Sequence, residues 1–65
     1  MITICMTNGG MYPNVNCING DDASDISRNA LMEILENDTF MTITINNGGQ
    51  ESVIRTSCIS SINFI

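Results

Sequence analysis

The sequence has no lysine, no histidine and no tryptophan, and its only cations are Arg28 and Arg55. Each absence removes a class of chemistry. Without histidine, Cys–His and Ser–His–Asp nucleophilic arrangements cannot be built. Without lysine, Schiff bases and a P-loop phosphate clamp are excluded. General acid–base work would fall to carboxylates, Tyr12 or a thiol, and the chain is expected not to be an enzyme. A net charge of −5 is the wrong sign for phosphate contacts, so neither nucleic acid nor an anionic membrane surface is an expected partner. No apolar run exceeds three residues, which leaves nothing to span a bilayer. The N-terminus lacks a basic region ahead of its first turn, as a secretory signal would require. Three cysteines, Cys5, Cys17 and Cys58, are an odd number with no C-x-x-C spacing. They read as reduced thiols in a cytoplasmic protein, with Cys17 and Cys58 as small core residues and Cys5 more exposed.

What is present is isoleucine, in alternating patterns between Asn- and Gly-rich turns. At 65 residues the chain is one domain, 1–65, with a small core. Ile2, Ile4 and Met6 alternate with Thr3, Cys5 and Thr7 as a strand with one apolar face. Asn8-Gly9 then predicts a type I′ hairpin turn, pairing Met6 with Met11, Ile4 with Pro13 and Ile2 with Val15. The opposite face would pair Cys5 with Tyr12 and Thr3 with Asn14. Pro13 cannot donate to a ladder, so it marks an edge or a break.

After Asn19-Gly20, Ala23, Ile26, Ala30, Leu31, Ile34 and Leu35 fall on one helical face. Asp22 or Ser24 would cap this helix, Asp25 would suit its first turn, and Asn37-Asp38 would end it. Met41, Ile43 and Ile45 alternate with Thr42 and Thr44 in a further strand. Within Asn46-Asn47-Gly48-Gly49-Gln50 a four-residue loop is preferred, because it sets Ile43 opposite Ile54, whereas a two-residue loop sets Ile43 opposite Ser52. The return strand covers 52–58 and a short last strand 62–65. The two hairpins share Ile/Met-Thr-Ile followed by Asn-Gly-Gly at an offset of 39, a likeness that restricted turn chemistry explains. The expected fold is α+β: a small antiparallel sheet of two β-hairpins plus a short C-terminal strand, with one helix packed on one face, order ββαββ(β).

Three functional readings follow. In the first, the chain is a non-enzymatic inhibitor or adaptor whose Asp21, Asp22, Asp25, Glu33 and Glu36 bind a basic protein surface. In the second, a homo-oligomer holds a small, nucleotide-like anion between subunits, lined by Arg55, Tyr12, Thr42 and Thr44. In the third, self-association is the whole activity. Met32, Val53, Ile59 and Ile65, together with Ile18, lack an evident place in the core and suggest a subunit interface. No cofactor or metal is expected, because the aspartates lack the spacing of a cation-binding loop. The short, acidic, hairpin–helix–hairpin chain is similar in general character to counter-defence and other accessory proteins of bacteriophages. That resemblance lies in size, charge and element order rather than in a motif. It implies binding of a protein in the host cytoplasm.

Overall fold

The computed structural model describes residues 2–64. Its strands are β1 (Ile2–Met6), β2 (Met11–Ile18), β3 (Asp21–Asp22), β4 (Phe40–Ile45), β5 (Gln50–Arg55) and β6 (Ile59–Phe64). One helix, α1 (Arg28–Asn37), lies between β3 and β4. All described pairings are antiparallel, in the order β5-β4-β2-β1-β6, with β3 beside the end of β2. The protein is thus a small α+β fold with the helix packed on the sheet.

The connection from β5 to β6 forces the sheet to curl. A flat arrangement would hold these two edge strands about 19 Å apart. Only Thr56–Cys58 joins them, as a single 3₁₀ turn, and even fully extended that linker reaches no more than about 15 Å. The edges are therefore drawn together at this end, in a body of 25 × 25 × 21 Å. Inside the curl lie Ile2, Ile4, Val15, Ile18, Met41, Ile43 and Ile54, joined by Leu31 from α1 and by Ala23. Ile26 and Ile34 pack against this core from the helical side. Each large aliphatic side chain taken fully from water contributes about 1.5–3 kcal/mol, which is how so short a chain sustains a core.

Several expected details are corrected. Ile2 does pair with Val15, but Ile4 lies opposite Tyr12 and Cys5 opposite Met11. The first turn is a three-residue loop, with the Gly9 N–H donating to Met6 C=O at 3.1 Å and the Met6 N–H to Gly10 C=O at 2.8 Å. Asn14, at φ 55°, absorbs the extra residue as a bulge. The reason is Pro13, which the expected register would have placed in the ladder without a donor. A one-residue slip exchanges faces, so Tyr12 packs against the core and Met11 is exposed. A type I′ backbone instead occurs at Asn19-Gly20, where φ is 52° and 85° between the paired Ile18 and Asp21, and again at Asn47-Gly48, at 57° and 84°. The second main hairpin turns over two residues, Asn47-Gly48, with the Gly49 N–H donating to Asn46 C=O at 3.1 Å, so the four-residue loop is not formed and Ile43 lies opposite Ser52 and Met41 opposite Ile54. Here Asn46, Asn47 and Gly48 are all left-handed, and this tip conformation decides the pairing.

The helix is also shorter than its apolar pattern. Ala23–Asp25 forms a separate 3₁₀ turn capped by Asp22, and α1 begins only at Arg28, capped by the Ser27 hydroxyl, which accepts from the Ala30 N–H at 3.1 Å. Extended backbone at Ile26 separates the two. Its C-terminal end at Asn37, with Asp38 as the cap, is where the sequence places it. Among the described residues no helix is long and apolar enough to cross a membrane.

Candidate functional site: an acidic furrow beside the helix

Asp21 and Asp22 reach the helical side because β3 is carried there by the tight turn at Asn19-Gly20. Ala23, buried beneath, fixes the turn that follows. Asp22 accepts hydrogen bonds from the Ser24 N–H at 2.9 Å and the Ser24 hydroxyl at 2.8 Å. These bonds hold its carboxyl below the ordinary carboxylate range, so it stays charged. Asp25 follows on the same turn and is exposed.

Asp21, Asp22 and Asp25 line one hollow with Ile26, Ser27 and Ala30. A second hollow, lined by Ala30, Glu33, Ile34, Asn37 and Asp38, meets the first at Ala30. The two form a furrow along α1 with an apolar floor of Ile26, Ala30 and Ile34 and a carboxylate rim. Helical geometry explains the second half, since Ala30, Glu33, Ile34 and Asn37 are spaced by three and four residues. Of the expected protein-binding residues, Asp21, Asp22, Asp25 and Glu33 come together here. Glu36 is exposed but does not line the furrow, and Asp38 joins it from the helix end.

Neither cation sits in the furrow. The Arg28 guanidinium lies over the Phe64 ring, 5.1 Å from its centroid, and that of Arg55 lies over Phe40 at 5.0 Å. Among the described residues no three Asp, Glu or Cys side chains gather as ligands of one ion. The rim carboxylates are instead distributed along the two hollows.

The expected anion site is not assembled on one face. Arg55, Thr42 and Thr44 share the outer face of β4 and β5 by register, whereas Tyr12 lies opposite Ile4 against the core. The expected oligomer interface is dispersed as well. Val53 and Met32 are exposed, at 64% and 56%, on the sheet and the helix respectively. Ile59 packs against the core, Ile18 is fully buried within it, and Ile65 lies outside the described residues. All three cysteines are free and half-buried, so Cys5 is not set apart from Cys17 and Cys58 as the exposed one. Cys17, opposite Thr44, shares the outer face with Cys5 rather than lying across the sheet from it.

Phe40, under Arg55 and 52% exposed, is the outer-face residue that pattern reading left unassigned. Its signal was alternation with Met41, which turns it away from the core. No family model matches the sequence, and comparison with curated proteins and with solved structures returns no similar chain.

Proposed function

We propose that the protein is a non-catalytic binding protein that docks a basic surface of another protein into the furrow along α1. The observation that carries this reading is the convergence of Asp21, Asp22, Asp25, Glu33 and Asp38 on two adjoining hollows. Supporting it is the removal of both arginines onto phenylalanine rings, which leaves the rim uniformly negative. The apolar floor offers contact to aliphatic stems of lysine or arginine, whose charged ends meet the carboxylates. Such a partner would be steered in by the field and held at the floor, and a site so covered would be blocked to other ligands.

The test is a salt titration of binding to an immobilised lysine- and arginine-rich peptide. The combined Asp21→Asn, Asp22→Asn and Asp25→Asn variant should lose about tenfold or more in affinity and show a flatter salt dependence. Asparagine retains the oxygen that caps Ser24, so the turn survives. Glu36→Gln, off the furrow, should bind as the parent does. Equal affinity of parent and triple variant would overturn the reading.

A further inference from the structure

The β5 edge carries a second surface, independent of the furrow. Thr42 spends both its backbone groups on the β2 side of β4. Its N–H donates to Asn19 Oδ1 at 2.9 Å, and its C=O accepts from the Asn19 N–H at 2.7 Å. Thr39 C=O, three residues earlier, points the other way and accepts from the Thr56 N–H at 3.0 Å. In an antiparallel ladder these directions alternate. Val53, opposite Thr42, therefore turns its own N–H and C=O away from β4, and so do Glu51 opposite Thr44 and Arg55 opposite Phe40. Among the described residues β5 has no partner on that side. The side chains of the same three residues stand on the outer face and are exposed.

We infer that β5 pairs with β5 of a second copy of this chain, antiparallel about a twofold axis through Val53. In that register Val53 meets Val53 of the other copy, and Glu51 meets Arg55 twice, once on each side of the axis. The outward groups of Val53, the Glu51 C=O and the Arg55 N–H find partners, about four backbone hydrogen bonds in all, while the Arg55 C=O stays in the 3₁₀ turn that follows β5. A shift of two residues either way puts a charge opposite Val53 and leaves others unpaired, so the charge pattern selects one register. One of the chain's two cations is placed at this edge, two positions from an exposed valine and four from a carboxylate. The other sheet edge, β6 (Ile59–Phe64), has no charged residue with which to select a register. Pairing β5 with itself closes the symmetry, so assembly ends at the dimer and covers an edge that would otherwise template further growth.

Sedimentation equilibrium of the full chain between about 1 µM and about 1 mM, at moderate salt, tests this. A monomer–dimer equilibrium is expected, and species larger than dimer, or monomer throughout, would overturn the proposal. Val53→Pro removes only an outward donor and should abolish the dimer, with circular dichroism reporting that the fold persists. Glu51→Arg alone and Arg55→Glu alone should each weaken dimerisation about tenfold or more. The double variant Glu51→Arg with Arg55→Glu restores opposite charges and should recover most of the affinity. This rescue is independent of how Val53→Pro folds. A double variant no tighter than the singles, or singles as tight as the parent, would refute the register.

Discussion

The β1–β2 and β4–β5 hairpins begin from closely similar sequences and end as different structures. Ile2-Thr3-Ile4 corresponds to Met41-Thr42-Ile43, and Asn8-Gly9-Gly10 to Asn47-Gly48-Gly49. In both, the aliphatic positions point into the core and the first glycine is left-handed, at φ 91° and 84°. Yet in the first turn Gly9 alone takes positive φ, whereas Asn46, Asn47 and Gly48 all do in the second. The first hairpin is central, paired on both flanks, and bulged at Asn14 to remove Pro13 from the ladder. The second keeps a continuous register and leaves β5 as an open edge. The lesson is that a turn motif specifies the left-handed glycine, while the strands it joins decide how many residues follow suit.

If the two hairpins hold the core equally, the largest effects should match. Ile4 and Ile43 are corresponding residues, exposed 0% and 1%. Replacing either with alanine should cost about 2–5 kcal/mol, read from urea unfolding midpoints. Costs within about 1 kcal/mol of each other would place both hairpins in one cooperative core. A much milder Ile43→Ala would show that the second hairpin is peripheral and opens separately.

Next in size are the turns. Gly9→Ala and Gly48→Ala meet no neighbouring atom, so each reports backbone strain alone, about 1–2 kcal/mol. Asn46→Ala and Asn47→Ala should add to the contrast. Both residues are left-handed, and the Asn47 N–H donates to Asn16 Oδ1 at 2.7 Å. Thr7→Ala, at the position corresponding to Asn46, has no left-handed backbone to strain and should be within about 0.5 kcal/mol of the parent. Equal thermal shifts for Thr7→Ala and Asn46→Ala would erase the distinction between the turns.

Much of this architecture was legible in the residues. Alternation of Ile with Thr marks β1 and β4, and the end of α1 at Asn37-Asp38 is written in polar residues that cannot continue an apolar face. The failures have physical causes. The Asn14 bulge answers a conflict between Pro13 and its partner strand, which becomes visible only once the partner is known. The break between Ala23–Asp25 and α1 costs the helix a turn but lets Ala23 bury against the sheet, a tertiary gain that helical periodicity does not contain. For the furrow, charge named Asp21, Asp22, Asp25 and Glu33, but their convergence depends on where β3 docks. The Arg55–Phe40 stack follows from register, since the two residues face each other across β4 and β5.

The smallest effect is also the sharpest, because its sign should differ between the hairpins. Cys5 and Thr44 are corresponding residues on the outer face. Cys5 Sγ accepts from Asn63 Nδ2 at 3.6 Å, whereas the Thr44 hydroxyl oxygen is buried without a partner. A buried, unpaired hydroxyl costs about 1–3 kcal/mol in lost hydration, and valine has the same shape without that cost. Thr44→Val should therefore stabilise the protein by about 1 kcal/mol, raising the urea midpoint with an unchanged slope. Cys5→Val removes a weak acceptor from Asn63 and should be neutral or slightly destabilising. If Thr44→Val lowers the midpoint instead, the hydroxyl has a partner in solution, and the two hairpins are equally satisfied at this position.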